Sequence, residues 1–159
     1  MLPVIQNIIY ASDFEPGARP AFRRAVSLCR QYDATITFLH VIEPPNRSAE
    51  NMIGNILEPG EKARLLNEGL SHLREKMERR IQRFYDSELD ENEKLKPGQV
   101  EMRVEQGVPW RVITTVAAGL PDSVIVMGTR THSRLGQLMG STATKIIGSA
   151  DCPVMVVPL

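Results

Sequence analysis

Ser123-Val124-Ile125-Val126-Met127 is the stretch of sequence that decides the fold. It is short and apolar, and polar and apolar residues do not alternate along it. A strand with this pattern is buried on both faces, which is typical of a parallel sheet covered by helices on each side. We therefore expect Ser123–Met127 to be an inner strand and Gly128 to begin the loop at its carboxyl end.

Four further stretches have the composition of strands, and stretches of helical periodicity separate them. The predicted strands are Val4–Ser12, Thr35–Val41, Gln99–Glu105 and Val154–Val157, and the predicted helices are Ala18–Tyr32, Glu61–Tyr85, Pro109–Ala118 and Ser141–Gly148. Strands that alternate with helices predict a parallel sheet with helices on both faces and right-handed crossovers. The sequence thus predicts one three-layer α/β domain over residues 1–159.

The longest predicted helix, Glu61–Tyr85, carries an apolar stripe at spacings of three and four residues, which predicts a buried face. The stripe consists of Leu66, Leu70, Leu73, Met77, Ile81 and Phe84. Acidic residues separate the basic residues on its other faces, which indicates a solvated surface rather than a polyanion site. Asn46–Gly60, before this helix, has no clear period and is predicted to form a loop.

The charge and composition of the chain exclude some classes of function. The 159 residues include 19 basic and 19 acidic side chains, so the formal net charge is zero. We therefore expect neither nucleic acid nor an anionic membrane as a partner, since both attract a surplus of Lys and Arg. No apolar run approaches the roughly 20 residues that span a bilayer, and the first residues read as a strand rather than a signal peptide. Cys29 and Cys152 are far apart, which favours two reduced thiols in a cytoplasmic protein.

The carboxyl ends of the first and fourth strands are the predicted ligand site. The first strand ends in Ala11-Ser12-Asp13, and the fourth ends in Met127-Gly128. These are the two most apolar strands, so they are predicted to lie at the centre of the sheet. Ligands of such sheets bind at the carboxyl ends of the strands, where the strand order reverses. Gly128 lets the backbone turn sharply and lets a ligand approach closely, and Gly140 does the same before the last helix.

The residues after the fourth strand predict a site for an anion. Ser141 is a preferred N-cap residue, and the first amides of the helix behind it have no partner within the helix. The helix dipole favours an anion there by about 0.3–1 kcal/mol. Arg130 and His132 add positive charge, and Asp13 is placed to accept a hydrogen bond from an amine or a ribose hydroxyl. Together these residues predict a site for the phosphates of a nucleotide, although a lone glycine also serves an ordinary turn and Asp13 alone also suits a helix cap.

Five motifs carry a resemblance to a known family. They are NIIYASD (residues 7–13), QGVP (106–109), DSVIVMGTR (122–130), LMGSTA (138–143) and ADCPVMVV (150–157). In this set and order, the sequence resembles the universal stress protein family over essentially the whole chain. The resemblance implies a Rossmann-like sheet of five parallel strands in the order 3-2-1-4-5. It also implies a homodimer formed through Val154–Val157 and a regulatory role in the stress response.

The same resemblance implies an adenine nucleotide, ATP or AMP, with or without Mg2+, across the ends of strands one and four. By position, Asp13 meets the adenine or ribose end of the nucleotide. The implied contacts to adenine and ribose are Ala11, Ser12, Asp13 and Val41. Met127 and Gly128 are implied to line the path of the ribose and phosphates. The implied contacts to the phosphates are Arg130, Gly140, Ser141 and Thr142.

One position departs from the family pattern. The ATP signature is G-x2-G-x9-G-S/T, and Gly128, Gly140 and Ser141 match it, but Thr131 stands at the second glycine. Eight residues, one fewer than in the signature, separate Thr131 from Gly140. A Cβ at Thr131 crowds the phosphates or restricts the backbone, whereas it leaves the helix-end amides unaffected. One alternative therefore stays open: a family member that binds no nucleotide and acts as a dimeric interaction protein.

An enzyme is the other alternative, in the form of a slow ATP hydrolase. The chain has no GxxxxGKS/T motif, because Lys145 follows Thr144 rather than a glycine. It has no compact Ser/His/Asp or Cys/His set, and His132 is the one candidate for a general base. The sequence therefore favours a nucleotide-binding regulatory protein over an enzyme, with no catalytic residue and no protein-bound metal assigned.

Overall fold

The computed structural model describes residues 1–44, 57–129 and 140–159. The strands in these ranges are β1 (Asn7–Ala11), β2 (Thr35–Ile42), β3 (Val100–Gln106), β4 (Ser123–Gly128) and β5 (Val154–Val157). They form one sheet in the order β3-β2-β1-β4-β5, and every neighbouring pair is parallel. This confirms the α/β class and the strand order that the resemblance implies.

Helices cover both faces of the sheet. In the described ranges they are α1 (Arg19–Tyr32), α2 (Pro59–Glu88), α3 (Pro109–Ala118) and α4 (Ser141–Ser149), and a short 3-10 turn, Pro16–Ala18, precedes α1. One hydrophobic cluster contains Phe22 of α1 and Ile81 of α2, and a second contains Ile113 of α3 and Ile146 of α4. The two clusters lie on opposite faces of the sheet, which confirms the three-layer arrangement.

The two strands that the sequence predicts at the centre of the sheet, β1 and β4, are both inner strands and pair with each other. Ile8, Ile9 and Tyr10 of β1 are fully buried, and every residue of β4 from Ser123 to Met127 is buried. Tyr10 pairs with Val126, so β1 and β4 end side by side at the same edge of the sheet. β1 begins at Asn7 rather than at Val4 as predicted, since Val4 lies outside the sheet and is exposed.

The long helix α2 only partly follows its sequence pattern. Met77, Ile81 and Phe84 are buried, but Leu73, from the same predicted stripe, is 45% exposed. A helix of 30 residues is about 45 Å long, whereas a neighbouring strand of seven residues spans about 23 Å, so the first half of α2 extends past the sheet.

The start of α2 also differs from the prediction. It begins at Pro59, inside the predicted loop Asn46–Gly60, of which residues 46–56 lie outside the described ranges. Neither α2 nor any other helix in the described part of the chain has an apolar stretch long enough to cross a membrane.

Candidate functional site

A cleft of about 620 Å3 opens at the carboxyl ends of β1, β2 and β4, opposite the first turn of α4. The predicted site residues that line it are Ala11, Ser12, Asp13, Val41, Met127, Gly128, Gly140, Ser141 and Thr142. Arg130, the remaining predicted contact, lies outside the described residues, as do Thr131 and His132. Chain segments that are far apart in the sequence thus meet at one cleft, in the place that the sequence predicts.

The turn after β1 sets the position of Asp13. The Ser12 Oγ accepts a hydrogen bond from the Phe14 N–H at 3.0 Å, and the Asp13 Oδ1 accepts one from the Glu15 N–H at 3.2 Å. Phe14 has a φ of 55°, in the left-handed region that residues other than Gly, Asn and Asp rarely adopt. A carboxylate accepts about four hydrogen bonds, so the Glu15 amide leaves Asp13 able to bind a ligand.

Burial of Phe14 holds this strained turn in place. The ring is 2% exposed and makes edge-to-face contacts with Tyr10, Phe38 and Phe84 at centroid distances of 5.6, 6.2 and 6.0 Å. The Tyr10 hydroxyl donates to the Ala18 carbonyl at 3.3 Å, and burial raises the pKa of Tyr10 well above its ordinary value. An exposed acid of the cleft and a buried ring of the core are therefore consecutive residues.

His40, Glu15 and Glu43 are among the cleft residues that sequence reasoning did not find. His40 lines the cleft at the end of β2, and its Nδ1 lies 2.8 Å from the Ser12 carbonyl oxygen. Because a carbonyl only accepts, this Nδ1 carries the proton of the bond. Glu15 and Glu43 also line the cleft, and Glu15 lies 3.7 Å from Arg80. Together with Asp13, these carboxylates make the β1–β2 side of the cleft negative.

The opposite wall of the cleft is the N-terminus of α4. Ser141 was predicted to be the N-cap, and this is wrong by one residue: Gly140 is the N-cap, with extended backbone at φ −71° and ψ 164°, and Ser141 begins the helix. The Gly140 carbonyl accepts the first helical bond, from the Thr144 N–H at 3.1 Å. The cap residue has no side chain, so it cannot cap the first-turn amides itself, and the positive end of the helix dipole faces the cleft.

The reason for a glycine at position 128 differs from the prediction. Gly128 is the last residue of β4 and does not have a positive φ, so no sharp turn requires it. A Cβ built there lies 2.5 Å from Leu159 Cδ1 and 2.8 Å from Leu159 Cγ. The Leu159 N–H donates to the Thr129 Oγ1 at 3.2 Å, and the Thr129 N–H donates to the Val157 carbonyl at 2.9 Å. The group that approaches Gly128 closely is thus Leu159 of the same chain, which also lines the cleft.

The remaining titratable groups do not form a metal site. In residues 1–44, 57–129 and 140–159, no three or more His, Cys, Asp and Glu side chains are grouped so that they could hold a metal ion. Cys29 and Cys152 are free thiols. Burial raises the pKa of the Cys29 thiol to about 11, so this sulfur stays protonated and unreactive at neutral pH.

With this geometry in place, the chain can be compared with known proteins. Residues 5–158 match the universal stress protein family as a whole. The chain belongs to this family. The search of curated proteins gave no match.

Solved structures of other universal stress proteins share the fold. The protein UspA of Lactobacillus plantarum is 22% identical, with a TM-score of 0.66 over 98% of this chain and 99% of that one. A universal stress protein in complex with cAMP is 14% identical, with a TM-score of 0.62 over 96% of each chain. The family member from Archaeoglobus fulgidus in complex with dAMP is 17% identical, with a TM-score of 0.50 over 98% of each chain. At these identities the likeness concerns the fold alone.

Proposed function

We propose that this universal stress protein binds an adenine nucleotide, ATP or AMP, in the cleft between β1, β4 and α4, and acts as a regulatory protein of the stress response. The observation that carries the proposal is the polarity of the cleft. Carboxylates of Asp13, Glu15 and Glu43 line one side, and the N-terminus of α4 lies on the other. A ligand with an amine or hydroxyls at one end and phosphates at the other complements both sides.

The size and the apolar walls of the cleft also suit a nucleotide. A volume of about 620 Å3 lies within the range of about 300–1,000 Å3 that small-molecule sites occupy. The half-buried Val41 and the exposed edge of Met127 provide apolar surface for a base, next to the Asp13 carboxylate that accepts from an amine or a ribose hydroxyl. Mg2+ comes with the phosphates in this proposal, because Mg2+ is commonly held by substrate phosphates rather than by a protein cage.

The ligands of related proteins support the same chemical class. One related structure contains cAMP and another contains dAMP, both adenine nucleotides with a single phosphate. The variant glycine signature, with Thr131 at the second glycine, stands in the phosphate loop of this proposal. AMP needs fewer contacts from that loop than ATP does, so the variant signature favours AMP over ATP at this site.

We further propose that the protein is a homodimer through β5. This strand is an outer strand of the sheet, and the edge that faces away from β4 has no partner within the described ranges. Its four residues, Val154–Val157, are apolar and only half-buried. An apolar edge strand is a template for pairing with a second chain. The two free thiols support a reducing compartment such as the cytoplasm.

Calorimetry with ATP, AMP and GTP tests the nucleotide proposal. We expect the wild type to bind ATP or AMP and to bind GTP more weakly. Asp13→Ala removes a charged acceptor and is expected to weaken adenine nucleotides by about tenfold or more. Asp151→Ala, which removes an exposed acid outside the cleft, is the matched control and leaves affinity unchanged. If the wild type binds no adenine nucleotide, or if Asp13→Ala binds as tightly, the proposal is wrong.

A further inference from the structure

A second cleft, of about 510 Å3, lies beside α1 and shares no lining residue with the first. We name it the arginine cleft. Arg23, Arg24 and Arg30 line it, together with Glu93 and the buried residues Val26 and Leu89. It takes no part in the nucleotide proposal, so its own role needs an explanation.

The charge of α1 is unusual for this chain. The helix has the sequence RPAFRRAVSLCRQY, with four arginines and no acidic residue, while the whole chain has a net charge of zero. Ordinary solvated helices mix both signs, and pairs three or four residues apart then stabilise the helix. α1 has no such pair, so its arginines serve contacts outside the helix.

Two of these arginines attach α1 to the end of α2. The Arg23 guanidinium donates to the Glu88 carbonyl at 2.8 Å and to the Glu93 Oε1 at 2.6 Å. The Arg19 Nε lies 2.9 Å from the Glu88 Oε2. Hydrogen bonds from the Asp90 N–H and from Arg23 lower the pKa of Glu93, so this carboxylate stays ionised and bound. These contacts fix one wall of the arginine cleft. They also pair Glu93, the acidic residue that lines it, with Arg23.

The other two arginines of α1 are Arg24 and Arg30. Both are exposed, and neither makes an ion pair with any residue in the described ranges. Arg24 and Arg30 are six positions apart, which corresponds to about 9 Å along the helix axis and about 120° around it, and both line the arginine cleft. In an extended peptide, side chains two residues apart lie on the same face and are separated by about 7 Å. Two acidic side chains of an extended segment therefore reach both guanidinium groups at once.

We propose that the arginine cleft docks an extended acidic segment of a partner protein. Its carboxylates bind Arg24 and Arg30, since a guanidinium binds a carboxylate through two parallel hydrogen bonds. Two arginines neutralise too few phosphates to hold a nucleic acid in a chain of zero net charge.

The test uses the full chain and fluorescein-labelled hexapeptides that carry two glutamates two residues apart. Fluorescence anisotropy is measured at low and at physiological salt. We expect a Kd below about 100 μM at low salt that rises with salt. Arg24→Gln with Arg30→Gln is expected to weaken binding by about tenfold or more. Arg79→Gln with Arg83→Gln, which removes the same charge from exposed positions of α2, is the matched control and leaves binding unchanged.

Amide chemical-shift mapping on the wild type is the second measurement and depends on no variant. Shifts confined to α1 and to residues 89–93 support the proposal. Shifts spread over other basic surfaces, an equal loss of binding in the control variant, or no peptide with a Kd below about 1 mM overturn it. A polyphosphate or an oligonucleotide that binds more tightly than every peptide, with the same dependence on Arg24 and Arg30, also overturns it. None of these outcomes depends on nucleotide binding in the first cleft.

Discussion

Gly128→Ala tests whether Leu159 is the reason for a glycine at the end of β4. The new Cβ would lie 2.5, 2.8 and 3.0 Å from Leu159 Cδ1, Cγ and Cδ2, all shorter than an ordinary contact. All three atoms belong to the side chain of one residue, and no backbone atom is among them. We therefore expect Leu159 to move away while β4 stays in place.

The cost of this change is limited by what Leu159 contributes. Leu159 is 36% exposed, so about two thirds of the 1.5–3 kcal/mol for a fully buried leucine, or about 1–2 kcal/mol, is at stake. Replacing glycine by alanine also stabilises by about 0.4–1 kcal/mol through the unfolded chain, because alanine has fewer unfolded conformations. The net expectation for Gly128→Ala is therefore a loss of at most about 1.5 kcal/mol.

A second background reverses the sign of the effect. In Leu159→Ala, the obstructing atoms are gone, so Gly128→Ala is expected to stabilise by about 0.4–1 kcal/mol. The assay is urea unfolding of the four proteins of the double-mutant cycle. Gly69→Ala, where a Cβ meets open space in α2, controls for the general effect of replacing a glycine. An equal loss from Gly128→Ala in both backgrounds would refute the role of Leu159.

Two further predictions concern the frame of the cleft between β1, β4 and α4. Gly107 has a φ of 146°, and a Cβ there lies 2.9 Å from Val112 Cγ2. Gly107→Ala is therefore expected to cost about 2 kcal/mol or more in urea unfolding. Adding Val112→Ala is expected to recover only the part of this cost that comes from the Val112 contact, and full recovery would contradict the argument from the backbone φ. Tyr10→Phe removes the hydrogen bond to Ala18 and is expected to cost about 0.5–1.5 kcal/mol at pH 7. Because folding raises the pKa of Tyr10 above 10.0, the unfolded chain loses this proton first, so stability falls as the pH rises above 10.0 in the wild type and falls less in Tyr10→Phe. Comparing the two proteins cancels the contribution of Cys29, whose pKa burial also raises, and equal slopes above pH 10 would contradict the assignment to Tyr10.

The parts of the fold that local pattern controls could be predicted from the sequence. The unbroken apolar run of β4 identified an inner strand because burial on both faces leaves no position for a polar side chain. The exposure of the Leu73 side chain could not be predicted, since periodicity tells which face of a helix is apolar but not how far the sheet extends beneath that helix.

The candidate site likewise contains some residues that could be predicted from the sequence and others that could not. Asp13 and Gly140 could be placed because strand ends and helix starts carry local signals. Gly140 and Ser141 both suit an N-cap, so the sequence could not choose between neighbours. His40 joins the cleft through the pairing of β2 with β1, and Leu159 reaches Gly128 from 31 residues further along the chain. Both are contacts between distant segments, and neither leaves a trace in local sequence.

The turn at Asp13 and Phe14 has a consequence for genetic screens of this protein. Phe14 is held by Tyr10, Phe38 and Phe84, and its backbone aims the preceding acid at the cleft. Random variants selected for loss of the proposed nucleotide binding are therefore expected to include substitutions of these rings, none of which needs to touch the ligand. Only variants that lose binding with an unchanged unfolding midpoint will identify true contacts.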